Sequence, residues 1–217
     1  MFGRFDLESL LYAIAAILIA LTIHEASHAF AAYRLGDPTA KTLGRLSLNP
    51  LVHLDPMGTI LIVFTMLAGF GIGWGKPVPV DPRYLRPNPK TGMALVSLAG
   101  PLSNVLTAFV LYLPVRLGMD VYTSDIAAGL AGTLMQLSIW LACFNLIPLP
   151  PLDGFSVLLG LLPPGPARSF GRLAQYGLGP IMLIVIADSY FHLGILQAVL
   201  LPMARLVSGL VMGHPLV

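Results

Sequence analysis

The stretch ALTIHEASHAF, residues 20–30, places two histidines and a glutamate inside a long apolar run. On a helix, His24 and His28 project from one face, one turn apart, and Glu25 lies about 100° around beside them. A charged carboxylate at the centre of a membrane helix costs roughly 2.5–3.5 kcal/mol, so such residues usually mark function. The stretch therefore predicts a membrane helix that carries a metal site.

Composition places the whole chain in the membrane. Of its 217 residues, 56% are hydrophobic and 10% are charged, whereas soluble domains carry about 25% charged residues. The formal net charge of +2 is small and scattered, which excludes a nucleic-acid partner. The single cysteine, Cys143, cannot form an intramolecular disulfide.

Six apolar runs divide the chain, at about residues 7–33, 57–73, 93–117, 126–147, 174–190 and 194–213. A helix needs about 20 residues to cross the hydrocarbon, so the second run is marginal. The sequence predicts an all-α polytopic membrane protein. We expect about five transmembrane helices, a re-entrant or hairpin segment at 57–73, and a small membrane-associated β element.

A catalytic zinc site needs a third protein ligand and one open position. In FNLIPLPPLDG, residues 144–154, three prolines precede Asp153 and should break the helix after Leu146. Irregular backbone at membrane depth is tolerated only where it is buried in protein or lines a cavity. Asp153 is therefore predicted to point inward as the third ligand.

The other acidic residues fit this role less well. Asp6 and Glu8 lie about four turns from His24 along the same helix. The remaining candidates sit in connectors or near a helix end: Asp37, Asp55, Asp120, Asp125 and Asp188. Asp188 and His192 form a polar pair, which we interpret as an interfacial pair or a second site.

Three motifs, HEASH, AGPLSN and NLIPLPPLDG, occur in this order on separate apolar runs. Together they resemble the site-2 protease family of intramembrane zinc metalloproteases. The elements H-E-x-x-H, G-P-x-x-N and N-x-x-P-x-x-x-x-D-G match His24, Glu25, His28, Gly100, Pro101, Asn104, Asn145, Pro148, Asp153 and Gly154. The connectors GRLSLNPLVHLDPMGT and GWGKPVPVDP resemble the compact prokaryotic branch, and no PDZ or CBS domain is recognisable. Ser27 stands where the family often has glycine.

The resemblance covers residues 20–155. It implies one intramembrane metalloprotease domain over residues 1–217, with a catalytic core at about 7–155 and C-terminal helices at about 174–213. It also implies regulated intramembrane proteolysis, in which a peptide bond within or next to a transmembrane helix is hydrolysed. The expected partners are a transmembrane protein substrate and the lipid bilayer, and the sequence leaves the oligomeric state open.

Charge balance supports one zinc ion per chain without reference to the family. Two neutral histidines and one carboxylate leave Zn²⁺ with a net charge of +1, which a bound hydroxide neutralises. Zinc lowers the pKa of bound water to about 7. Glu25 is then predicted to accept the proton of this water and return it to the leaving amine.

Three further polar residues are candidates near the site. Asn104 and Asn145 resemble family residues near the catalytic centre and are candidates for substrate or oxyanion contacts. Their alternative role is hydrogen bonding between membrane helices. His53 is a candidate for orienting a metal ligand, and its alternative is a hydrogen bond to the backbone.

Topology follows from placing both ligand-bearing segments on one side of the bilayer. An even number of crossings must then separate His28 from Asp153, which predicts that residues 57–73 do not cross. The basic residues 34, 41, 45, 76, 83, 86, 90, 168 and 172 then share one side, against Arg4 and Arg116 on the other. By the positive-inside rule the metal site faces the cytoplasm and the N-terminus lies outside the cell.

An unwound substrate helix needs partners for its freed backbone groups. The segment TLGRLSL alternates apolar with small or polar residues, which predicts an edge strand that clamps the substrate. Its members are Thr42, Leu43, Gly44, Arg45, Leu46, Ser47 and Leu48. The alternative is an ordinary amphipathic connector.

Two other functions remain open from the sequence. A metal-ion or proton transporter could use the His/Asp site, although it would not need Glu25 and usually shows inverted repeats. A non-catalytic relative that binds membrane helices would be expected to lose a ligand or the base.

Overall fold

The computed structural model describes residues 7–60 and 75–215. The α-helices with complete bounds in these ranges are α1 (Leu7–Arg34), α2 (Thr39–Thr42), α3 (Pro89–Arg116), α4 (Asp125–Asn145), α5 (Asp153–Leu161), α6 (Pro164–Gly171), α7 (Gly179–Phe191) and α8 (Ile195–Met212). Three 3-10 helices, Pro50–Val52, Pro82–Tyr84 and Arg172–Tyr176, lie in the connections. Residues 56–60 are also helical. The predicted all-α class is confirmed.

The two long central helices begin at side-chain caps. The side chain of Asn88 accepts a hydrogen bond from the Thr91 backbone N–H at 2.9 Å, and Pro89 occupies the first turn of α3. The hydroxyl of Ser124 accepts from the Ala127 N–H at 3.2 Å at the start of α4. These caps satisfy backbone donors that have no partner inside the helix, so both start points are set locally.

The core is a bundle in which α1, α3 and α4 pack against one another. Ala16 and Ala20 of α1 are fully buried against Leu134 of α4, and such small residues allow membrane helices to approach closely. On the other side of the bundle, α8 packs on α3 and α4, and α5 packs on α3. This arrangement brings α1, α3 and the start of α5 together, where the predicted ligands lie.

In the described part of the chain, four helices are long and apolar enough to cross a membrane: α1, α3, α4 and α8. A fifth candidate exists only as a bent pair, Pro164–Tyr176 with Gly179–Phe191, at 70°. The expected number of about five transmembrane helices agrees with these four candidates, or five if the bent pair forms one span. The chain turns at Gly177, whose φ is 51°, and α7 alone has 13 residues, about 20 Å, which is too short to cross.

The predicted β element is wrong within the described residues. They contain one isolated antiparallel bridge, between Leu54 and Gly75, and no strand. Thr42 ends the short helix α2, and residues 43–48 form turns and bends. The backbone N–H of Gly44 donates to Lys41 O, and that of Arg45 donates to Ala40 O. These donors are used by the preceding helical turn, so they are not available to a strand ladder.

The predicted re-entrant run, 57–73, lies outside the described residues from 61 onward. Its flanks lie side by side, because Leu54 pairs with Gly75 and the Lys76 N–H donates to His53 O at 2.8 Å. The end of α1 and the beginning of α3 are correspondingly at the same end of the bundle.

Candidate metal centre

Three predicted ligands from α1 and α5 meet at one point. The Nε2 atoms of His24 and His28 are 3.0 Å apart. The Oδ2 atom of Asp153 lies 3.1 Å from His24 Nε2 and 3.3 Å from His28 Nε2. In the described residues, this is the cluster of histidine, cysteine and acidic side chains that could hold a metal ion.

The spacing of these atoms fits tetrahedral zinc. With zinc–ligand bonds of about 2.0–2.1 Å, the edge of the tetrahedron between two ligand atoms is about 3.3 Å. The three observed distances are 3.0, 3.1 and 3.3 Å. One of them equals this edge, and the other two are slightly shorter. Three protein ligands also leave a fourth position open, as catalytic zinc sites require.

A backbone contact sets the tautomer of His28. Its Nδ1–H donates to the carbonyl oxygen of Val96 on α3 at 2.7 Å. In the neutral ring the proton is then on Nδ1, so the Nε2 lone pair points at Asp153 and His24. A hydrogen bond on the outer nitrogen of this kind orients metal-binding histidines and raises their basicity.

Burial makes the cluster costly unless something binds it. His24 is 3% exposed and His28 is 7% exposed. Among the described residues, Asp153 Oδ2 and His24 Nδ1 are buried without a hydrogen-bond partner. A charged carboxylate in an apolar bundle is unfavourable unless it is partnered, and a divalent cation between Asp153 and the two imidazole nitrogens would satisfy all three groups. The residues present therefore fit zinc.

Gly100 of α3 makes room for the two rings. A Cβ atom added there would lie 2.5 Å from both Cε1 and Nε2 of His28, and 2.7 Å from Cε1 of His24. Real Cβ contacts are never this short, so only glycine allows α3 to approach the histidines. This explains in physical terms the glycine of the G-P-x-x-N element. The sequence pattern alone did not predict this role.

Asp153 is placed by the proline-rich break, as predicted. Helix α4 ends at Asn145, and α5 begins at Asp153 itself. The next residue, Gly154, packs on the end of α4, where an added Cβ would lie 2.1 Å from the carbonyl oxygen of Leu146. This close approach turns the chain back toward α1 and fixes the Asp153 carboxylate beside the histidines.

Glu25 lies next to the cluster without being one of its three ligands. It is partly exposed, unlike its buried neighbours His24 and Ala26. Its carboxylate is close enough to interact electrostatically with His28. A carboxylate in this position is available to exchange protons, because it makes no hydrogen bond or ion pair within residues 7–60 and 75–215.

The two asparagines have different surroundings. Asn104 is fully buried one turn beyond Gly100 on the same face of α3, and its Nδ2 has no partner among the described residues. Asn145 donates through Nδ2 to Leu141 O of its own helix at 3.0 Å. The roles of both residues in substrate or transition-state binding stay predictions.

The connector residues are not part of the metal cluster. His53 is fully buried, and its Nε2 donates to Ser47 O at 2.8 Å. Leu46, Ser47 and Leu48 line a cavity of about 320 Å³ with the α1 residues Ile23, Ala26, Ser27 and Phe30. Ile23 and Ser27 lie about 160° around α1 from Glu25. This cavity is therefore on the far side of α1 from the base.

Asp188, of the predicted pair Asp188 and His192, has a structural role. Asp188 accepts a hydrogen bond from the Ile195 backbone N–H at 2.6 Å, which joins the end of α7 to the start of α8. His192 sits in this turn with a φ of 52°. The cluster formed by α1 and α5 does not include either residue.

Comparison with known proteins agrees with this chemistry, although no family model and no solved structure matches the chain. "Putative zinc metalloprotease YwhC" of Bacillus subtilis is 42% identical over 183 residues, which cover 81% of this chain and 80% of that protein. "Putative zinc metalloprotease Rip2" of Mycobacterium tuberculosis is 34% identical over 177 residues, which cover 81% of this chain and 67% of that protein. The chain belongs to the site-2 protease family of zinc metalloproteases.

Proposed function

We propose that the protein hydrolyses a peptide bond within or next to a transmembrane helix of a membrane-protein substrate, with His24, His28 and Asp153 holding one zinc ion. The observation that carries the proposal is the cluster itself. Its three ligand atoms converge within 3.3 Å of one another, and Glu25 is adjacent to His24 on α1. Two of the ligands belong to a helix long and apolar enough to cross a membrane, so the reaction would occur at membrane depth.

Zinc bound here would act as a Lewis acid and lower the pKa of a coordinated water to about 7. Glu25 takes the proton of the attacking water and returns it to the leaving amine. Val96, through its carbonyl, keeps the His28 ring oriented. Gly154 keeps Asp153 within reach of both rings.

Asn104 is placed to support the reaction. Its amide is buried on the face of α3 that carries Gly100, and its Nδ2 donor is unpartnered in the described structure. A buried donor one helical turn from Gly100, which packs against both histidines, is suited to stabilise an oxyanion. Asn145 would need to release Leu141 O before it could donate to a substrate, so Asn104 is the better placed of the two.

Reconstitution tests the proposal directly. The purified protein in proteoliposomes, supplied with a single-span substrate, should cleave it. Cleavage should stop when a chelator removes zinc and return when zinc is added back. Zinc-dependent ion flux without cleavage would instead identify a transporter, and binding of the substrate helix without either activity would identify a non-catalytic relative.

We also propose an orientation in the cell membrane. The basic residues near the metal-site end of the bundle support a cytoplasmic position for that end. Val121, in the loop between α3 and α4, is then outside the cell, and Arg168 on α6 is inside. A membrane-impermeant thiol reagent should label Val121→Cys in intact cells and Arg168→Cys only after lysis. Cys143 is buried and should give little background, and the reverse labelling pattern would invert the orientation.

A further inference from the structure

Five residues form a closed neck where the connector after α1 leaves the bundle and returns: Arg45, His53, Leu54, Gly75 and Lys76. Leu54 pairs with Gly75, and the Lys76 N–H donates to His53 O. The guanidinium Nη2 of Arg45 donates to Lys76 O. The neck is thus held together by hydrogen bonds from both of its sides.

The neck lies against the face of α1 that carries the metal ligands. A Cβ added to Gly75 would be 3.1 Å from Leu21 Cδ1 and 3.2 Å from Cδ2. Leu21 is four residues before Glu25 and seven before His28, so all three share one side of the helix. Gly75 of the neck is therefore about one turn of α1 away from Glu25.

Two side-chain atoms of the neck have no hydrogen-bond partner in the described structure: Arg45 Nε and His53 Nδ1. Arg45 is 6% exposed and His53 is 0% exposed. The guanidinium is always charged, so its Nε–H is a donor. His53 Nε2 donates to Ser47 O, which leaves Nδ1 of the neutral ring as an acceptor.

One donor and one acceptor match a peptide group, which offers one acceptor and one donor. An unwound transmembrane helix exposes such groups, and each costs several kcal/mol in the membrane unless it is partnered. We infer that Arg45 and His53 bind the main chain of the unwound substrate where the connector packs against α1. Arg45 Nε–H donates to a substrate carbonyl, and His53 Nδ1 accepts a substrate N–H.

This inference rests on the proposed function. It assigns to two side chains the binding of the substrate main chain that had been predicted for an edge strand. Backbone recognition by two fixed side chains needs no strand, so it is compatible with the turns found at residues 43–48. His24 and His28 are about as deeply buried as Arg45 and His53. Contact with a substrate therefore requires an opening at both places.

Two variants delete the unpartnered atoms. Arg45→Lys keeps a cation that can reach Lys76 O and deletes the Nε–H. His53→Gln keeps an amide donor for Ser47 O and deletes the ring Nδ1. Arg83→Lys is the matched control, because Arg83 belongs to the same connector and its side chain is 85% exposed.

The measurement is binding of a fluorescent single-span peptide to the zinc-loaded Glu25→Gln protein in nanodiscs, which cannot turn the peptide over. Each neck variant should weaken binding about tenfold, with unchanged zinc content, and the control should bind normally. A peptide series with single backbone esters then locates the contacts. The ester that removes the N–H accepted by His53 should weaken binding to the protein with His53 intact and have no effect on the His53→Gln protein.

The ester series decides between direct contact and a structural role. If every ester weakens binding equally in the neck variants and in the parent Glu25→Gln protein, the inference is overturned. It would also be overturned if a bound water occupied the two atoms. Cleavage of the unmodified peptide by the wild-type protein is measured first. Failure there overturns the proposed function, whereas failure confined to the ester series overturns only this inference.

Discussion

Replacement of Glu25 by glutamine should reduce peptide-bond cleavage by on the order of 10³-fold and leave zinc binding unchanged. Glutamine has nearly the same shape as glutamate but cannot accept a proton, and general-base catalysis of this kind is worth about 10²–10⁴. The three ligand atoms belong to other residues, so the metal should remain. Initial rates in proteoliposomes and zinc content per chain are the two measurements.

Glu8→Gln provides the matched control, because Glu8 is the other glutamate of the chain and lies on the same helix. It is 17 residues from Glu25, about 25 Å along α1, and accepts a hydrogen bond from Tyr12. This variant should cleave at the wild-type rate. Full activity of the Glu25→Gln protein would remove Glu25 as the base and leave proton transfer to another group.

The metal ligands could be predicted because their placement depends on local rules. His24 and His28 share one helix, where a spacing of four residues fixes their common face. Asp153 follows three closely spaced prolines, which together remove the backbone donors that a continuing helix would need, and α4 ends at Asn145 as expected. In the structure the three groups lie 3.0–3.3 Å apart, and their role as metal ligands stays a prediction.

Local rules of this kind could not decide whether residues 42–48 form a strand. Alternation of residue types describes which faces a segment presents, but a strand also needs a neighbour to bond with. Here the backbone donors of Gly44 and Arg45 bond to carbonyls of the turn just before them. In the described residues no strand lies beside this segment, so it has no partner with which to form a sheet.

The role of Gly100 was missed because it depends on a contact between helices more than 70 residues apart in sequence. A helix position chosen for propensity would not be glycine, which costs about 1 kcal/mol relative to alanine in a helix interior. A glycine inside a long apolar run is therefore a sign of close approach. Combined with the histidines, it could have indicated which surface of α3 faces them.

Replacement of Gly100 by alanine should lower zinc affinity about 100-fold and reduce cleavage with it. The added methyl group would overlap the rings of both histidines, at 2.5 Å from His28 and 2.7 Å from His24. Both rings would have to move, and the Nδ1–H of His28 would be pulled from Val96 O. Loss of an orienting partner alone typically costs 10- to 100-fold in metal affinity. Competition with a calibrated chelator measures the change.

Gly132→Ala is the matched control, since Gly132 is also within a membrane helix and an added Cβ there meets nothing within 4 Å. It should bind zinc as the wild-type protein does. Overpacking can also destabilise the bundle itself by about 1–3 kcal/mol, so thermal unfolding is measured with and without zinc. If displaced histidines are the cause, added zinc should stabilise the Gly100→Ala protein far less than it stabilises the control. Equal stabilisation of both proteins would mean that the rings accommodate the methyl group and that the closeness of α3 is not what sets the metal site.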